Sequence, residues 1–305
     1  MEIFSKKRNS VRAVSFIAVA LTVISGVLNG ILHVMFFEEN VYMYKQGSEG
    51  VWSIYYILCA VTVAFFSIIC AVNRRSACNT VLSAAKGECS DAPSNILRVI
   101  AGAIFAVGAV MRFVFFLTEK QESVLPEIIV VIMMAFFLCL SFYFFPQIDS
   151  KLGIGGFTAF CGILGVVAFI IDTLSIYADM SIPIASEYRL FTAVFTVLFL
   201  LALVLELRIK ITEPNPIGYL AITSIASAVG GSTCIGRTVS IISGKSVCGA
   251  ELARTVCGLG ITVYLLSRLV SIAFTHKNEE CPECRDGMPL STTNHGNENE
   301  DNEEK

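Results

Sequence analysis

The chain has 305 residues, of which 55% are hydrophobic and only 15% charged, and its formal net charge is −3. A water-soluble domain carries about 25% charged residues, so this composition excludes an ordinary soluble enzyme or binding module. No basic groove and no interleaving of aromatic and basic residues points to nucleic acid.

Eight apolar stretches occupy about 13–37, 51–72, 97–117, 124–145, 152–177, 190–207, 217–240 and 249–275. Each approaches the roughly 20 mainly apolar residues that carry a helix across a bilayer. Inside hydrocarbon, only the protein itself can satisfy a peptide group, so these stretches must be helical. The predicted fold is an all-α, polytopic membrane helix bundle of about eight transmembrane helices, arranged as four hairpins with both termini cytoplasmic. Its domain organisation is a membrane domain over 1–275 and an acidic, disordered cytoplasmic tail over 276–305.

The first stretch follows Lys6-Lys7-Arg8. It is too long for the 7–15-residue core of a secretory signal and reads as an uncleaved span. Gly26, Asn29, Gly30 and His33 recur at helical spacing and share one face. Gly26 and Gly30 match the close-packing motif of membrane helices, and we expect them to pack within the chain rather than between copies. A polar loop follows the second stretch. Its Cys78 and Cys89 are expected to stay reduced in the cytoplasm.

In the third stretch Gly108 and Ala109 lie one turn from Arg112. In the fifth, Cys161, Gly165, Ala168, Asp172 and Ser175 form a similar stripe. The sixth ends in Glu206 and Lys210, whose spacing of four is that of an ordinary surface pair. The seventh follows Pro214-Asn215-Pro216 and is the weakest span. Gly230, Gly231, Ser232, Thr233 and Gly236 dilute its hydrophobicity, and Arg237 interrupts it. In the eighth, Glu251 and Arg254 are placed to pair across one turn, and Arg268 to snorkel toward the interface.

Lysine and arginine near membrane ends mark the cytoplasmic side. With the N-terminus inside, the inner ends hold Lys6, Lys7, Arg8, Arg12, Arg74, Arg75, Lys86, Arg98, Lys151, Arg208, Lys210 and Lys277, and the outer loops only Lys45, Lys120, Arg189 and Lys245.

Eleven cysteines form no framework. Those inside spans act as small apolar residues. Cys234 and Cys248 flank the last outer loop and are candidates for a disulfide. Cys281-Pro282-Glu283-Cys284 in the tail supplies two thiolates, half of a structural zinc site. Metal binding at Cys281 and Cys284, redox activity and an unconstrained tail are its three readings.

Ionisable groups inside a bilayer cost about 2.5–3.5 kcal/mol on insertion scales and need a reason. His33, Arg112, Asp172 and Arg237 each fall in the outward half of an odd-numbered span, among small or polar neighbours. One reading brings them to a shared cavity with an excess of positive charge, suited to an anionic group. The other leaves them as interfacial or structural groups. With only three histidines in the chain, at 33, 276 and 295, and a single aspartate inside a span, neither a zinc protease helix nor a paired-aspartate protease is supported, and no phosphate-binding loop or nucleophile elbow occurs. The expected protein is therefore no enzyme and takes no cofactor. Its partners are a lipid bilayer and a small-molecule solute. The compact loops suggest a cell membrane, the cytoplasmic membrane of a bacterium. The expected function is a permease or secondary transporter of a small anionic solute. The alternative is a non-transporting sensor or accessory subunit that docks a partner through its tail.

Overall fold

A computed structural model describes residues 2–38, 43–72, 81–82, 92–119, 127–145, 155–178, 187–211, 215–244 and 249–274. The chain divides into a compact unit, Met1–Thr275, and a second, His276–Lys305, which lies outside the described residues. Cys78, Cys89, Cys248, Cys281 and Cys284 also lie outside them.

Among the described residues, eight helices are long and apolar enough to cross a membrane. We label them α1 (Glu2–Phe36), α2 (Glu49–Val72), α3 (Ala92–Glu119), α4 (Glu127–Phe144), α5 (Gly155–Ala178), α6 (Glu187–Ile211), α7 (Pro216–Ile242) and α8 (Gly249–Phe274). A two-residue antiparallel ladder, Phe37 opposite Tyr44 and Glu38 opposite Met43, closes the α1–α2 connection. We call the end of the bundle where α1, α3, α5 and α7 finish the distal end, and the other the proximal end.

The weakest span does traverse the bundle. Asn215 caps α7, its side-chain oxygen accepting from the Gly218 N–H at 3.2 Å, and Pro216 occupies the first turn, where its missing N–H costs nothing. The helix widens into a π-turn over Ala226–Gly230, where the Gly231 N–H reaches back to the Ala226 carbonyl, and then continues to Ile242. Gly244, at φ +87°, turns the chain away. Low hydropathy and central position go together. The most apolar windows of α7 and α8 are 78% and 72% buried inside the protein, against 22–44% for the other six helices. These two helices see the least lipid and therefore need the least grease.

Consecutive helices form hairpins, but the most extensive packing runs between hairpins: α3 lies along α8, and α1 along the second half of α7. Both contacts use glycine where backbones close in. A Cβ on Gly26 or Gly30 would fall 2.8 Å from Ile235 or Val239, so this pair of glycines packs α1 onto α7 within the chain. A Cβ on Gly108 would fall 2.7 Å from the Cys257 backbone nitrogen, and one on Gly260 would meet the Phe105 backbone at 2.8 Å. Lipid tails are as apolar as leucine, so close van der Waals packing and hydrogen bonds must supply the association. An aromatic core of Phe105, Phe137, Phe144, Phe169, Phe199 and Tyr264 fills the space between α3, α4, α5, α6 and α8.

Gly108→Ala should therefore lower stability by about 1–3 kcal/mol through overpacking, read as an earlier thermal transition of the detergent-purified protein. Gly156→Ala in the first turn of α5, where among the described residues no atom beyond its own helix backbone lies within 4 Å of the new methyl, should leave that transition unchanged or raise it slightly.

Candidate functional site

The periodic stripes all turn inward. Asn29, His33, Arg112 and Asp172 are buried, and Arg237 is partly buried. Arg112 Nη2 donates to Asp172 Oδ1 at 2.5 Å. The Arg112 guanidinium also lies over the Phe137 ring, 4.9 Å from its centroid. A second guanidinium, that of Arg254 on α8, stands 3.9 Å from the same carboxylate oxygen. Arg237 Nη1 donates to Glu251 Oε1 at 3.1 Å. Glu251 and Arg254 thus each reach a different helix, α7 and α5. The stripe Glu251, Arg254, Thr255, Gly258 follows the same spacing that exposed the odd-numbered helices, and was the available signal for α8.

These groups surround a distal cavity of about 50 Å³ lined by Asp172, Arg237, Arg254, Thr192, Thr196, Thr233, Thr255 and Cys234, with Phe195, Gly258 and Ile261 as its apolar wall. An adjoining cavity of about 20 Å³ is lined by His33, Phe37, Ser240, Ile241 and Glu251, and shares Arg237 and Thr255 with the first. Arg237 stands at the boundary of the two. His33 is flanked by the rings of Phe37 and Trp52, 4.5 and 5.9 Å away between centroids. The Ser240 hydroxyl is buried with no hydrogen-bond partner among the described residues. Such a group carries a desolvation cost until something in the cavity meets it.

Of the four residues singled out from sequence, Asp172 and Arg237 line one cavity and His33 lines its neighbour. Arg112 stands behind Asp172 and acts on the cavity only through that ion pair. Three guanidiniums, Arg112, Arg237 and Arg254, and two carboxylates, Asp172 and Glu251, meet in this cluster. Cys234 lies in the cavity wall as a free thiol.

A second charged cluster occupies the proximal half, and here the structure corrects the sequence reading. Glu206 and Lys210 are no solvated surface pair, and Arg268 does not snorkel: the Glu206 and Arg268 side chains are 2% and 3% exposed, and they bond each other directly. Tyr264 donates to both Glu206 oxygens, at 2.8 and 2.9 Å. Tyr219 from α7 donates to Oε2 at 3.2 Å. Lys210 Nζ lies 3.3 Å from Oε1 and donates to the Tyr143 hydroxyl at 3.2 Å. One carboxylate thereby ties α6, α7 and α8 together, with α4 joined through Lys210. Nearby Arg98 donates to the Phe145 carbonyl at 2.9 Å, satisfying the end of α4. At the distal end Arg189 does the same for the Tyr177 carbonyl near the end of α5.

Among the described residues no group of three or more His, Cys, Asp or Glu side chains could hold a metal ion. The thiols of Cys281 and Cys284 fall outside those residues.

Removing one member of a buried pair leaves the other charge uncompensated. Asp172→Asn and Arg112→Met should each destabilise by about 3 kcal/mol. The Arg112→Met/Asp172→Asn double variant should recover about 2 kcal/mol of the summed loss, measured as a double-mutant cycle on thermal unfolding in detergent.

No family model, no curated protein and no solved structure matches this chain.

Proposed function

We propose that the protein is a permease or secondary transporter of a small anion, which it binds in the distal cavity. The observation that carries this reading is the composition of that cavity. Arg237 and Arg254 line it beside four threonines, with Phe195, Gly258 and Ile261 as its apolar wall. A partly buried guanidinium attracts an anion more strongly than one in bulk water. Threonine hydroxyls can supply hydrogen bonds without adding charge. Arg237 and Arg254 would be the anchoring groups, and Asp172, locked to Arg112, would hold Arg254 in place.

The size of the cavity narrows the solute. At about 10–15 Å³ for each water-sized group, 50 Å³ holds about four non-hydrogen atoms. Formate, nitrate and acetate are of that size. The π-turn of α7 adds support: helices interrupted near the midplane are a recurring feature of transport sites. Asp172 sits between two guanidiniums and is poorly placed to carry a coupling proton. That role falls to His33, the residue type that exchanges its proton between pH 5 and 8. The excess of lysine and arginine assigns the proximal end to the cytoplasm.

Flux measurements in liposomes test the reading, with formate, nitrate, acetate and phosphate as probes. Arg254→Gln and Arg237→Gln should each weaken transport about 10–100-fold, the effect of losing one charged hydrogen bond. Unchanged flux in both variants would remove the cavity from the mechanism. His33→Gln should abolish accumulation driven by a pH gradient and preserve exchange of anion for anion.

A further inference from the structure

The distal cavity and the proximal cluster are built from the same three helices. On α6, Thr192 and Thr196 face the cavity and Glu206 the cluster. On α8, Arg254 and Thr255 face the cavity, Tyr264 and Arg268 the cluster. On α7, Thr233 and Arg237 face the cavity and Tyr219 the cluster. At 1.5 Å per residue, Arg254 and Arg268 stand about 20 Å apart along α8. Between the two levels Phe199 and Leu203 from α6 and Leu265 from α8 are buried, beside the buried hydroxyls of Thr223, Ser224 and Ser227 from α7 and Thr262 from α8. The π-turn, Ala226–Gly230, lies on α7 between Tyr219 and Thr233.

The two levels differ in one respect. The distal one borders a cavity, whereas at the proximal one Glu206, Tyr219, Tyr264 and Arg268 are buried around a carboxylate that accepts from two tyrosines, an arginine and a lysine. These four donors come from α6, α7 and α8, so the helix ends cannot separate while Glu206 keeps them. We propose that the Glu206 cluster is the closed proximal gate of the carrier, and that the π-turn of α7 is the joint about which the gate opens. The inference rests on the transport reading above. In the alternate state Glu206 gives up Tyr219, the proximal half of α7 swings on its π-turn, and the side chains between the levels part to expose the anion cavity to the proximal face. A π-turn suits this role because its wide turn breaks the regular ladder of helical hydrogen bonds at one level.

Cys234 in the cavity wall is a built-in reporter. The full chain keeps Cys234 and has its other cysteines replaced by alanine or serine. It is reconstituted in vesicles of known orientation and treated from one face with silver ion, a single-atom thiol reagent small enough for the cavity, with no anion substrate present. In this parent, Cys234 should react from the distal face and only at background from the proximal face. Glu206→Gln should raise the proximal-face rate about tenfold or more, the scale expected when a minor state becomes substantial, and slow the distal-face reaction. Tyr219→Phe/Tyr264→Phe removes two donors and leaves every charge paired. It should shift the rates in the same direction by a smaller factor, and it decides the matter if Glu206→Gln does not yield monodisperse protein. Folded variants that lose thermal stability with an unchanged proximal-face rate would reduce the cluster to a structural brace and overturn the proposal. Protection of Cys234 by formate or nitrate from the distal face of the parent reports on the anion site alone, so failure of the site and failure of the gate give different results.

Discussion

Hydrocarbon offers no counter-ion and no water, so every charge inside this bundle must be answered by another part of the chain. That constraint decides how the helices meet. Asp172 cannot sit on α5 without Arg112 of α3 and Arg254 of α8. Glu206 cannot sit on α6 without Arg268 and Tyr264 of α8 and Tyr219 of α7. Apolar packing between membrane helices is nearly indifferent to partner, because lipid tails offer similar contacts. Buried pairs are not indifferent. They fix which helix faces which and at what height, and glycines such as Gly108 and Gly260 then let the backbones close the remaining distance.

The two charged levels meet the same constraint differently. At the proximal level one buried carboxylate, Glu206, gathers donors from three helices: Lys210 of its own, Tyr219 of α7, and Tyr264 and Arg268 of α8. At the distal level two carboxylates, Asp172 and Glu251, each meet a guanidinium of another helix beside a cavity, and the buried Ser240 hydroxyl has no hydrogen-bond partner among the described residues. Satisfied buried networks of this kind hold helices in one register.

Eight spans were legible in the sequence because peptide groups in lipid have one solution. The inward direction of His33, Arg112, Asp172 and Arg237 was legible because glycine, alanine and asparagine stood beside them at helical spacing. What could not be read was partnership across the bundle. Glu206 and Lys210, four apart, carry the spacing of a solvated helix pair, and so do Glu251 and Arg254, three apart. Short-range spacing cannot register that another helix brings Arg268 or Arg237 closer. The seventh span looked weak for a related reason. A hydropathy average counts grease and cannot distinguish a helix shunned by lipid from one enclosed by other helices.

The enclosure of α7 bears on how the protein is made. A segment whose hydropathy is the lowest of the eight gains least from the bilayer itself, and its glycines, serines and threonines are tolerable there only once other helices surround it. As the chain emerges, α1 is already waiting to receive it, but α8 is not. The keystone of the bundle is thus secured only when the final helix arrives, and a nascent chain halted before α8 would hold its most polar span half-clad against lipid.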